Sequence, residues 1–185
     1  HLTQADISTF EALGNRYAKD KQYVYYEGNI LQGIYPGDFA YIVSDYARHG
    51  DTLIYRGKKM PGVDIETFEI LSSSHFRDCN AIYYTGRKMP ADPHTFTLLE
   101  YAAYSQDDKH IFYRDEIQDN IDRSTFEIIS FKLAKDKNSV YYFGKAIDYL
   151  DIHTFEVCDD NYIRDKDMVY YLLQPIKGID MATYQ

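Results

Sequence analysis

Short apolar runs punctuate the chain at intervals, and each gives way to a polar turn within a few residues. Six of them share one form: Val24-Tyr25-Tyr26, Leu53-Ile54-Tyr55, Ile82-Tyr83-Tyr84, Ile111-Phe112-Tyr113, Val140-Tyr141-Tyr142 and Val169-Tyr170-Tyr171. Runs this short, rich in β-branched and aromatic residues and bounded by turn residues, predict strands. The first position is always aliphatic and the third always Tyr. Residues two apart share a strand face, so these two pack on one side. The middle position (Tyr25, Ile54, Tyr83, Phe112, Tyr141, Tyr170) is apolar as well. A strand that is apolar on both sides is usually covered on both. Either neighbouring repeats bury the second side, or it is an aromatic strip awaiting a partner.

The surrounding words repeat too. The aromatic residue closing each Asp-x-x-Thr-Phe word falls at Phe10, Tyr41, Phe68, Phe96, Phe126, Phe155 and Tyr184, with spacings of 31, 27, 28, 30, 29 and 29 residues. A sustained period of this size is the signature of a repeat architecture. Before each apolar triplet stands a piece ending in Asp, as in "RYAKD", "SHFRD", "KLAKD" and "NYIRD". Asp20, Asp78, Asp136 and Asp165 can accept hydrogen bonds from N–H groups two or three residues on, which predicts a hairpin loop. Asn80 and Asn138 suit a left-handed turn residue, and the adjoining Lys points into water. Gly28, Gly57, Gly86 and Gly144 follow the triplets and suit a positive-φ bend. Asp64, Asp92, Asp122, Asp151 and Asp180 precede Thr by three residues, which predicts a single helical turn with Asp capping the Thr N–H.

The expected fold is therefore all-β. It is an array of about six β-hairpin repeats of roughly 29 residues, three or four short strands each, in an open curved stack with short helical turns at the Asp-x-x-Thr-Phe words. The whole of residues 1–185 reads as a single repeat domain. A closed propeller would need longer blades. The end repeats should be capping variants, and Leu172-Leu173, standing where other repeats have a bend Gly, marks one.

The recurring "AKDKxxVYYxG" and "DxxTFE" words resemble the DKNYY family of bacterial repeat proteins. The resemblance runs from Asp6 to Tyr184 and is strongest over Lys19–Gly28, Lys135–Gly144 and Arg164–Tyr171. The second repeat departs, with His49-Gly50 in place of Asp-Lys and Gly37 in place of the closing Asp. The fourth shifts its acidic pair to Asp107-Asp108. The resemblance implies a bacterial origin and a periplasmic or cell-envelope setting, with a cytoplasmic one left open. It brings no catalytic residues and no cofactor.

Composition narrows the function. The chain carries 20 basic and 29 acidic residues, a net charge of -9. That disfavours nucleic acid or an anionic membrane surface as partner and admits a basic protein. Tyr occurs 20 times and Trp not at all. No apolar run reaches the roughly 18 residues of a membrane-spanning helix. Cys79 and Cys158 sit in different repeats and form no C-x-x-C motif, leaving one disulfide or two free thiols open. The six histidines show no metal-ligand spacing, and no nucleophile elbow or phosphate loop is present. A non-catalytic protein-binding repeat protein is the expectation, in its most concrete form an immunity or inhibitor protein that blocks a basic toxin or effector by occlusion. The candidate contacts are Tyr25, Tyr83, Tyr141 and Tyr170, rimmed by Asp107, Asp108, Asp159 and Asp160, since Tyr offers large contact area at low entropy cost. A cell-wall or surface ligand-binding module and a structural envelope spacer are the alternatives.

Overall fold

The computed structural model describes residues 5–159 and 161–177. Among them lie six four-stranded antiparallel sheets and no α-helix; a three-residue 3₁₀ turn at Glu100–Ala102 is the one helical element. Each sheet is an open meander whose strands pair in chain order. In the first, Glu11–Gly14 pairs with Tyr17–Lys19, then Val24–Tyr26, then Asn29–Ile30. The six expected triplets lie in the third strands, and each pairs with the second strand before it. The chain comprises two compact units, His1–His94 and Thr95–Gln185. Each unit holds three sheets.

Within a unit, successive sheets pack face to face. In the first unit, Tyr17, Val24 and Tyr26 of the first sheet meet Ile34, Phe39, Ala47 and Ile54 of the second. Tyr46, Leu53 and Tyr55 of the second meet Val63, Phe76, Ala81 and Tyr83 of the third. In the second unit, Tyr104, Ile111 and Tyr113 meet Ile121, Ala134 and Tyr141, and Leu133, Val140 and Ile147 meet Ile163 and Tyr170. Period-two alternation thus does the work the sequence implies. First and third positions face the next sheet, and the middle position faces the previous one.

On the forward face, second-strand and third-strand aromatics sit directly opposite. Tyr17 and Tyr26, Tyr46 and Tyr55, and Tyr104 and Tyr113 have ring centroids 4.8, 5.0 and 5.0 Å apart. Such pairs add about 0.5–1.5 kcal/mol beyond the area they bury. The sixth sheet repeats the pair with Tyr162 and Tyr171 at 4.9 Å. No further sheet follows among the described residues, so this pair is 39% and 44% exposed.

Three details differ from the sequence reading. Phe39, not Tyr41, holds the repeat register: it is buried, its Asp38 N–H donates to Tyr35 C=O, and Thr9 N–H donates to Asp6 C=O in the same way. The irregular spacings at Tyr41 came from a word that lacks Thr there. The Asp-x-x-Thr words are turns: Thr9, Thr125 and Thr154 N–H bond the Asp carbonyl, and the Asp side chain accepts from the N–H two residues on, at Ser8, Glu66, His94, Ser124 and His153. Asn80 and Asn138 are absent from the left-handed region; the non-glycine residues there include Glu27, Arg56, Thr85, Arg114, Phe143 and Leu172, each just after a third strand. Asp180 and Tyr184 lie outside the described residues.

The bend glycines answer two demands. Gly57 and Gly86 have φ of +72° and +83°, and a Cβ on them would lie 3.0 Å from the Tyr26 ring and 2.9 Å from the Tyr55 ring. Each bend therefore lies against the third-position Tyr of the preceding sheet.

Candidate functional site

In five of the six sheets an Asp follows the second strand and is buried, at Asp20, Asp78, Asp107, Asp136 and Asp165. A carboxylate taken out of water needs compensation from hydrogen bonds to its charged form. Asp136 accepts from Asn138 N–H at 2.7 Å and Ser139 N–H at 2.9 Å, closing its own hairpin turn. It also accepts from Asp122 N–H at 2.6 Å and the Tyr141 hydroxyl at 2.9 Å. Asp20 has the equivalent set: Gln22, Tyr23 and Asp6 N–H groups and the Tyr25 hydroxyl, all at 2.7–2.8 Å. Asp165 repeats it with Asp167, Met168, Asp151 and Tyr170. Burial alone would raise the Asp20 and Asp136 carboxyls, but these hydrogen bonds outweigh it and hold both below the usual carboxylate range. Burial and the neighbouring Asp20 push the Tyr25 phenol up to about 12.

The two repeated words thus clasp one another. In return for the Asp-to-backbone bond, Thr9, Thr67, Thr95, Thr125 and Thr154 accept the N–H of the residue after the turn Asp, at 3.0–3.2 Å. Lys21, Lys137 and Lys166 close the clasp with ion pairs to Asp6, Asp122 and Asp151 at 2.5, 2.6 and 2.7 Å. Gly50 and Cys79 stand where those lysines do. Gly50 lines an open groove of about 300 Å³ and Cys79 one of about 360 Å³, and the Cys79 thiol donates to Asp64 Oδ2 at 3.5 Å.

This places the expected contacts. Tyr25, Tyr83, Tyr141 and Tyr170 are only 1, 8, 0 and 6% exposed. They are packing and clasp residues rather than a surface strip, because the preceding sheet or the turn carboxylate covers them. Asp107 is also interior, accepting from Lys109 and His110 N–H groups. It keeps the turn register, so the acidic pair of the fourth repeat is not displaced. Its exposed neighbour Asp108 accepts at its carbonyl from the Arg123 guanidinium. Asp159 is exposed and caps a loop through Asn161 and Tyr162 N–H groups. Asp160 lies outside the described residues. Cys79 and Cys158 are free and exposed. Among the described residues no three His, Cys, Asp or Glu side chains converge as a metal site would require, and no helix is long and apolar enough to cross a membrane.

What remains exposed and apolar lies chiefly in the loops. In the second unit, the loops joining first and second strands carry Tyr101 in the fourth repeat and Phe131 in the fifth, 52% and 58% exposed. Phe131 meets Phe143 edge-on at 5.9 Å, and Phe143 meets Tyr142 at 4.6 Å. Phe143 sits in the bend at the same end of its sheet, since a meander returns there after two strands. Tyr101 is held at φ +63° and Phe143 at φ +48°. Phe143 shares this conformation with Glu27, Arg56, Thr85, Arg114 and Leu172 in the equivalent bends, whereas Tyr101 takes it in a loop between strands. Glu100 and Asp159 sit exposed in loops of the same class. Sequence reading passed over Tyr101 and Phe131 because neither belongs to a repeated word.

The model of the DKNYY family matches residues 36–87 and 75–185. No curated protein and no solved structure matches the chain.

Proposed function

We propose a function from one premise: the chain belongs to the DKNYY family, whose words build the sheets described above. The function is non-catalytic protein binding through loop-borne aromatics, with the sheets as a rigid support. The observation that carries this is the contrast in the second unit. In its fourth and fifth sheets the face aromatics Tyr104, Phe112, Tyr113 and Tyr141 are sealed by packing and hydrogen bonds, yet Tyr101 and Phe131 of the same two repeats are exposed on equivalent loops. Exposed aromatics on a rigid scaffold are the usual anchors of a protein interface. A net charge of -9 selects a basic partner and speeds its capture. In its most concrete form the reading is an immunity or inhibitor protein that occludes a basic toxin or effector in a bacterial envelope.

The test is co-expression with the product of the neighbouring gene, followed by co-purification and a survival assay. A stable complex and protection of the cell are expected. A Tyr101→Ala/Phe131→Ala variant should lose the complex while its melting temperature stays within about 2 °C of the parent, as for other exposed substitutions. Undiminished binding by that variant would remove the proposed surface.

A further inference from the structure

The second repeat replaces the turn carboxylate with an imidazole, and the replacement changes what acid does to the clasp. In the first, third, fifth and sixth repeats, the N–H of Asp6, Asp64, Asp122 and Asp151 donates to a buried carboxylate at 2.8, 2.9, 2.6 and 3.2 Å. At the equivalent place in the second repeat, Tyr35 N–H donates to His49 Nε2 at 3.1 Å. The four-residue Asp turn is gone as well. His49 pairs with Thr52 across a tight turn at Gly50-Asp51, and Gly50 N–H donates to Asp38 C=O.

An Nε2 that accepts must be unprotonated, with the proton of a neutral ring on Nδ1. An imidazolium carries a donor on both nitrogens and accepts nothing. Histidine is the side chain whose charge changes in mildly acid solution, whereas ionised carboxylates continue to accept there. We propose that His49 is a proton-operated latch: its protonation breaks the bond to Tyr35 and releases the corner at residues 35–38, while the carboxylate clasps hold. The corner is able to respond. Tyr35 is 64% exposed, and the open groove lined by Gly37, Asp38, Gly50 and Asp51 adjoins it.

The titratable and charged groups around His49 come from each adjoining element. Tyr35 on the corner places its ring 6.0 Å from the imidazole. Asp38 precedes Phe39, the residue paired with His49 on the first strand of this sheet; Arg48 is its neighbour on its own strand; Asp51 lies in the turn. Thr52, opposite on the third strand, is neutral. Asp38, Arg48 and Asp51 are all exposed.

NMR of the full chain between pH 8 and pH 5 tests the latch. As the His49 ring titrates, the Tyr35 amide should lose its hydrogen-bonded shift and its protection factor should fall at least tenfold. The Asp122 amide should hold both. In His49→Asp, which installs the carboxylate of the other repeats, Tyr35 should keep its protection over the whole range. His49→Gln, a neutral acceptor, supplies the same control if the Asp variant folds poorly. A Tyr35 amide indifferent to the titration in the parent, or equally sensitive in both variants, overturns the proposal.

Discussion

Asp136 shows what a single residue contributes. Its carboxylate is buried and accepts four hydrogen bonds, two from its own turn, one from the preceding Asp-x-x-Thr word and one from a tyrosine across the strand. Removing it strands several buried donors at once. Asp136→Ala should cost about 3–4 kcal/mol, whereas Tyr141→Phe, which removes one donor and keeps the ring, should cost about 1 kcal/mol. Urea unfolding distinguishes the two. The pH dependence follows from the lowered folded-state value. The unfolded carboxyl, near its ordinary value of about 3.9, takes up protons first. The stabilisation is therefore present above about pH 4 and lost as the pH falls from there toward the folded value. Asp136→Asn should flatten that acid limb, and a denaturation series from pH 5 to pH 2 reads it directly.

At the scale of the element, the bend after the third strand joins one sheet to the one before it. Gly86 needs positive φ, and its missing Cβ makes room for the buried Tyr55 ring. Gly28 needs positive φ alone, since a Cβ there meets nothing within 4 Å. Gly28→Ala should cost about 1 kcal/mol from backbone strain. Gly86→Ala should cost about 2–3 kcal/mol, adding the displacement of a packed ring. Equal costs would show that the bends do not support the stacking. Much of this element was legible in the chain. The triplets, the Asp turn and the bend glycines act locally, through strand alternation and backbone freedom, and a sequence displays local physics. The clasp was not legible, because it joins residues 14 apart whose separate turn propensities explained them without each other. The second repeat was misaligned at Tyr41 for a related reason: Phe39 keeps its place while the Asp and Thr that announce it are replaced.

For the whole molecule, the same alternation determines which aromatics are free to bind. In the third and fifth sheets the preceding sheet of the same unit covers the middle position, so Tyr83 and Tyr141 disappear into packing although their composition resembled an interface. Composition cannot tell a ring that binds a partner from one that binds the next repeat; only the stacking does. The acidic balance was readable from the sequence, but the loop aromatics Tyr101 and Phe131 were not, because nothing repeats around them. The clasp between the two repeated words ties each repeat together, and amide hydrogen exchange measures it directly. The N–H groups of Asp6, Asp64, Asp122 and Asp151 start turns at the surface, where unpaired amides exchange freely. Bonded to buried carboxylates, they should be protected at least a hundredfold, and Asp136→Asn should lower protection most at Asp122. Exchange at all four at the rate of an unstructured chain would contradict the account.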